Sequence, residues 1–283
     1  MDVINLSERP ELSRPILIAG FDGWPNAGNI SIETLFYLKR MLGAKKFAEI
    51  DPDPFHKYTN LRPYAKLEEG EVKHLVFSPD EFFYKKGKES PDLILFIGKE
   101  PELRWKHFIQ SFLRFAIDLN VEILLTIGGT YDNITHRQEP VISGVFNDDS
   151  LKISLANAGI QFIEYEGPIS IHTMLLIEAR KMGIKGVSLW GHAPQYLQSN
   201  NLSVIYQILI HLNEFIGFGL DLSSLEVKAI ELKKQIDLIV QKNPELLRII
   251  EKYEKEPESK KETSPEDKII NIVDFLKKNH HED

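Results

Sequence analysis

Residues 17–42, LIAGFDGWPNAGNISIETLFYLKRML, constrain the fold more than any other stretch of the chain. An apolar run (Ile16, Leu17, Ile18, Ala19) enters a turn of glycines, a proline and small polar residues. Beyond the turn, Ile32, Leu35, Phe36 and Leu42 recur on one side of a helical pattern. The order is strand, turn, helix. In an open α/β sheet such a turn lies at the carboxyl end of a strand, where ligands and partners usually bind. Its glycines, Gly20, Gly23 and Gly28, fit neither the dinucleotide fingerprint nor the phosphate loop, and no Lys-Ser/Thr pair follows them.

The same alternation continues along the chain and predicts parallel βαβ units. Residues 47–50 predict a short strand, followed by a loop that Pro52, Pro54 and Pro63 keep irregular. Residues 74–77 read as a strand pairing with residues 82–84 in a hairpin. Residues 93–97 (LILFI) and 121–127 (VEILLTI) are continuous apolar runs of the kind expected for central strands buried on both faces. Between them Trp105, Phe108, Ile109, Phe112, Ala116 and Leu119 keep the i, i+3, i+4, i+7 spacing of a helix with one buried face. Strands are expected at 141–146, 160–165 and 187–190, and helices at 148–157, 172–182 and 202–216. The last is apolar around most of its circumference, so cover on both sides is expected.

Composition divides the chain. Residues 1–220 read as an α/β core domain of three layers, a mostly parallel sheet with helices on both faces. Residues 221–255 are rich in lysine and glutamate and carry a thin apolar stripe, which predicts a helical pair or a bent helix broken at Asn243-Pro244. Residues 256–264 form a charged linker, and residues 265–279 an amphipathic C-terminal helix that needs a surface to dock on.

At 283 residues, with 42% hydrophobic content, the chain can bury roughly three quarters of its unfolded surface. A net charge of -8 argues against nucleic acid and anionic membranes as partners, since both demand clustered Lys and Arg. There is no cysteine, which removes disulfides, thiol catalysis and cysteine-based zinc sites. The N-terminal residues lack the pattern of a signal peptide and no run of about 18 apolar residues occurs, so a cytoplasmic location is expected.

Three loops at predicted strand ends hold the candidate functional residues. In the first, Asp22, Trp24 and Asn26 either meet a ligand at the sheet crevice or serve the turn itself, the Asp and Asn as caps and the Trp as cover. In the second, Gly128 and Gly129 either let a backbone approach a ligand or form a tight turn, and Thr130, His136 and Arg137 follow. The third contributes His192 and Tyr196. A histidine with an aspartate nearby can act as a general base, and its commoner use is a hydrogen bond within a loop. No HxH, HxxxH or HExxH spacing supports a metal, no cofactor motif occurs, and no GxSxG elbow indicates a hydrolase-type serine.

Six segments fall in a recognisable order: FDGWPNAG, EIDPDPFHKYTNLRP, IGKEPELRW, THRQEPVISGVFN, EGPISIH and WGHAPQYL. Over residues 15–224 the chain resembles the proteasome assembly chaperone 2 family, in its longer bacterial branch. The resemblance implies a fold like that of purine nucleoside phosphorylases and related hydrolases. It also implies assembly into a small closed homo-oligomer, a trimer among the expected states. Relatives that dock on proteasome α-rings use a C-terminal hydrophobic-tyrosine-any-residue tail. This chain ends Lys278-Asn279-His280-His281-Glu282-Asp283, so docking by that route is not expected. Two functions follow. One is a non-enzymatic, oligomeric protein-interaction or assembly-chaperone-like role, with a protein partner for the C-terminal helix. The alternative is a small-molecule binder or enzyme, phosphorylase-, hydrolase- or ligase-like, using a crevice at the strand ends.

Overall fold

The computed structural model describes residues 3–77 and 80–255. Among them, nine strands form one sheet: β1 (Ile4–Leu6), β2 (Ile16–Asp22), β3 (Lys45–Ile50), β6 (Asp80–Lys85), β7 (Leu93–Lys99), β8 (Ile123–Asp132), β9 (Ile142–Phe146), β10 (Gln161–Phe162) and β11 (Lys185–Pro194). Their spatial order is β1-β3-β6-β7-β2-β8-β11-β9-β10. The four central strands β7, β2, β8 and β11 run parallel. Antiparallel pairings flank them, β6 on β7 at one side and β9 on β11 at the other.

Period-two alternation explains the layers. Along β2, Ile16 and Ile18 enter one core cluster, which holds α1 (Ile30–Leu42) and α5 (Leu202–Ile216), while Leu17, Ala19 and Phe21 enter the opposite cluster with α2 (Trp105–Asp118) and α4 (Ile171–Lys181). The same division runs along β7, with Leu93, Leu95 and Ile97 on the first face and Ile94 and Phe96 on the second. The chain is therefore the expected three-layer α/β fold. Its second face is aromatic: Phe96 lies 5.1 Å from Phe21, 4.8 Å from Phe82 and 5.0 Å from Phe112, ring centroid to ring centroid.

Helix α1 is tied to two strands through one buried hydroxyl. Ser31 Oγ accepts from the Phe21 amide at 3.0 Å and donates to the Ile127 carbonyl at 2.5 Å. Helices α6 (Ser223–Gln241) and α7 (Pro244–Lys255) follow one another across Asn243. Asn243 Oδ1 accepts from the amides of Glu245 and Leu246, both at 3.2 Å, with Pro244 at the first helical position. Ile236, Val240, Leu246, Ile250 and Tyr253 pack with Tyr196 and Leu197 of the core, and α6 begins inside the main core through Leu222 and Leu225. The linker expected at 256–264 and the helix expected at 265–279 lie outside the described residues.

Two strand expectations are corrected. Residues 74–77 do not pair with 82–84. Instead β5 (Glu71–Val76) folds back on β4 (Tyr64–Glu68) as a separate two-stranded sheet. The turn decides this, because Glu69 and Gly70 both have positive φ, 50° and 84°, the conformation a two-residue hairpin loop requires. Strand β6, with Asp80, Phe82 and Phe83 buried, goes to the main sheet between β3 and β7. The strand expected at 160–165 shrinks to Gln161–Phe162, a pair of exposed residues with one ladder partner, β9.

A buried histidine gives the fold a pH signature. His172, in the first turn of α4, is fully buried between the rings of Phe21 (5.4 Å) and Trp190 (5.1 Å), and burial lowers its pKa from 6.5 to about 3. The unfolded chain therefore binds this proton more readily than the folded one between those values. The stability is fully present above about pH 6.5 and falls as the pH drops toward 3, by about 1.4 kcal/mol per unit inside that window. In thermal melts from pH 7 to pH 4.5, His172→Gln is expected to show a shallower decline than the wild type, and equal slopes would exclude His172 as the source. Truncating the central ring, Phe96→Ala, is expected to cost about 3–5 kcal/mol in urea unfolding.

Candidate functional site

Strands β8 and β11 pair in parallel over ten residues, from Lys185↔Ile123 to Pro194↔Asp132. Strand β2 keeps pace with β8 only as far as Gly20↔Ile127. Beyond that point β8 and β11 project past their neighbour, and the β2–α1 turn folds over the gap. Asn26 forms a bridge with Gly129, and the Gly129 amide donates to the Pro25 carbonyl at 2.8 Å. A Cβ on Gly129 would lie 2.3 Å from the Ala27 carbonyl oxygen, so only glycine permits this approach. A Cβ on Gly128 would meet the Trp190 indole at 2.8 Å. Both glycines are thus used for close packing of the chain on itself.

The other turn residues are tied to the turn as well. Asn26 Nδ2 donates to Asp22 Oδ1 at 2.9 Å and its Oδ1 accepts from the Ile32 amide at 3.2 Å, while Lys99 Nζ lies 3.2 Å from Asp22 Oδ2. Trp24 is different: it stands 62% exposed at the rim of a crevice of about 310 Å³. That volume is within the range of small-molecule sites. Thr130, Asp132, Ser143, Trp190 and His192 line the interior, and Ser170 and Thr173 come from the start of α4. Glu100 braces the rim. Its Oε1 accepts from the Ile171 amide at 2.9 Å, and burial pushes its carboxyl up against the opposing effect of amides from Ile171 and Trp24.

Inside the crevice three side chains from adjacent strands are joined in line. His192 Nδ1 lies 2.9 Å from Asp132 Oδ2, and His192 Nε2 lies 2.8 Å from Ser143 Oγ. The carboxylate accepts only, which places the imidazole proton on Nδ1 and leaves Nε2 to accept from the serine. Asp132 is fixed by the Asn133 amide on Oδ1 at 2.7 Å, and the His192 amide donates to the Val141 carbonyl at 3.1 Å. Ser143 sits opposite Trp190 in the β9–β11 ladder. The sequence reading names His192 and Thr130 as candidates here and misses Ser143, which comes from mid-strand without an elbow motif. Its signal is Ser-Gly in an otherwise apolar strand, IleSerGlyValPhe.

His136, Arg137 and Tyr196 converge elsewhere, at the seam with α6. The Tyr196 hydroxyl accepts from the His136 amide and contacts His136 Nδ1, both at 2.7 Å. His136 Nε2 lies 3.1 Å from Asp237 Oδ1, which also accepts from Arg137 Nε at 3.0 Å. Burial holds the His136 pKa below its usual value, although Asp237 opposes this, and burial raises that of Tyr196. The cavity beside them is about 20 Å³, room for one water and no ligand. This group fastens the helical pair to the core. Among the described residues, no three His, Asp or Glu side chains are placed to hold a metal ion.

The turn, both loops and the seam all fall within residues 20–240, which match the family profile described as PAC2 family. The chain belongs to the PAC2 family. Solved structures agree with the assignment. A PAC2 family protein from Streptomyces avermitilis is 26% identical, with a TM-score of 0.74 over 83% of this chain and 99% of that one. A proteasome-assembly chaperone homologue of Mycobacterium tuberculosis is 23% identical, with a TM-score of 0.75 over 83% and 99%. PbaB of Pyrococcus furiosus, an archaeal proteasome activator, is 20% identical, with a TM-score of 0.65 over 83% and 97%. The last two likenesses concern the fold alone. No curated protein matches the chain. Among the described residues of this PAC2 chain, no helix is long and apolar enough to cross a membrane.

The seam can be tested directly. Asp237→Ala leaves the buried His136 Nε2–H and the Arg137 guanidinium without this acceptor, and is expected to cost about 1–3 kcal/mol in urea unfolding. Asp237→Asn keeps an acceptor oxygen and is expected to lose less.

Proposed function

We propose that this PAC2 protein is an oligomeric protein-interaction factor of the assembly-chaperone type, whose work in that role is done by surfaces rather than by turnover. The observation that carries the reading is the β4–β5 hairpin. Every residue of both strands is exposed, including Tyr64 (70%), Leu67 (59%), Val72 (61%), Leu75 (55%) and Val76 (54%). A two-stranded hairpin with no packed face is marginal in water, and large apolar side chains exposed along both strands offer surface to a partner.

The occupant we assign is a second copy of the chain. Both strands are free edges, open to pairing with another strand. Both also carry charges of each sign, Lys66 and Glu68 on one and Glu71 and Lys73 on the other, so two hairpins can meet without like charges opposed. Names of relatives support the class of role: a proteasome-assembly chaperone homologue and a proteasome activator share the fold. On this reading the helix expected at 265–279 offers a second contact, to a partner protein, and the setting is cytoplasmic.

The test is mass in solution. Sedimentation of the wild type is expected to give a small multiple of 32.6 kDa. The double substitution Leu67→Glu and Val72→Glu is expected to return it to the single-chain mass with an unchanged far-UV circular dichroism spectrum. A monomeric wild type, or an oligomer that survives the charges, would overturn the reading.

A further inference from the structure

We propose that Ser143, His192 and Asp132 form a serine acyl-transfer site, and that the crevice takes carboxylic esters or thioesters with a flat, apolar acyl group. The inference rests on geometry. A nucleophile, a base and a group that orients the base stand in line at 2.8 and 2.9 Å, within hydrogen-bond reach of one another. The sheet order β8-β11-β9 delivers one of them from each strand. His192 is held in the tautomer that the chemistry needs, its Nδ1 proton on Asp132 and its Nε2 lone pair on the Ser143 hydroxyl. Ser143 lines the crevice and is buried among its walls, with its hydroxyl on His192.

The walls define the substrate. Trp24, Tyr131, Ile163, Tyr165, Ile169 and Trp190 make an apolar, largely aromatic lining suited to a flat acyl chain or ring. Ser170 and Thr173 line the side formed by the start of α4, whose first two amides are already engaged, that of Ile171 by Glu100 Oε1 and that of His172 by Ser170 Oγ.

The reaction closes without an added reagent other than water. The Ser143 oxygen attacks the carbonyl carbon as its proton passes to His192 Nε2. The tetrahedral oxyanion collapses and breaks the bond to the alcohol or thiol, which leaves with the proton from the imidazolium. Water enters the space vacated, gives its proton to His192 and attacks the acyl-serine. Release of the carboxylic acid returns the proton to Ser143. Asp132 stays ionised throughout and keeps the imidazole in place.

The test uses the full chain and a fluorophosphonate, which phosphonylates an activated serine with loss of fluoride. The expected result is one adduct per chain, located on Ser143 by peptide mass spectrometry and absent from Ser143→Ala. Labelling is expected to slow at least tenfold in Asp132→Asn and in His192→Gln. With p-nitrophenyl benzoate, a burst of nitrophenolate stoichiometric with protein is expected, followed by slow turnover. No adduct, an adduct on another residue, or Asp132→Asn labelling at the wild-type rate would overturn the proposal. Circular dichroism of each variant separates loss of reactivity from loss of fold. The adduct's position on the wild type stands as a test even where a variant does not fold. The hairpin substitutions described above leave this site intact, so the assembly reading and this one fail independently.

Discussion

The parallel ladder between β8 and β11 is the constraint on which the rest of the molecule depends. Its inner half is ordinary core, with Leu125, Ile127, Val187 and Leu189 facing one helical layer. Its outer half outruns β2, and there every residue has to be supported by something other than a third parallel strand. The β2–α1 turn supplies that support on one side through Asn26 and Pro25, and β9 supplies it on the other through Ser143 and Ile142. The crevice exists because two strands are longer than their neighbour. Thr130 and His192, partners in that extension, are brought to the same height by register alone.

Much of the fold is legible in the sequence because burial on two faces leaves strong periodic signals. The runs at 93–97 and 121–127 and the helix at Trp105 are apolar for a reason that local chemistry can express. The hairpin is not legible in that way: it buries nothing, so it has no apolar period, and its one signal is the Glu69-Gly70 pair in the left-handed region. The short β1 escapes for a similar cause, since its three residues are held by backbone bonds to β3 rather than by a buried face.

The site was legible as a set of loops but not as a set of partners. Sequence spacing brings Asp22 and Asn26 together, and the structure ties both to the turn. It also puts His136, Arg137 and His192 in one crevice, where the structure separates the first two by engaging them with Asp237, about a hundred residues along the chain. Ser143 meets His192 across a 49-residue separation. Neither pairing has a local signature, because each depends on which strand lies beside which. Composition cannot carry that information; topology does.

The position of β2 has a further consequence, for the time at which the chain becomes safe. It is the first long apolar strand to be made, and it sits in the middle of the finished sheet, with Ile16 paired to Leu93 on one side and to Ile123 on the other. During synthesis it stays without either neighbour until most of the first half of the chain has emerged. Loop closure over such distances is slow, and an unpaired apolar strand is open to association with other chains. The β4–β5 hairpin closes locally in the meantime and presents a second exposed edge. A growing copy of this protein thus passes through a vulnerable interval that ends only when β7 and then β8 have arrived on the two sides of β2.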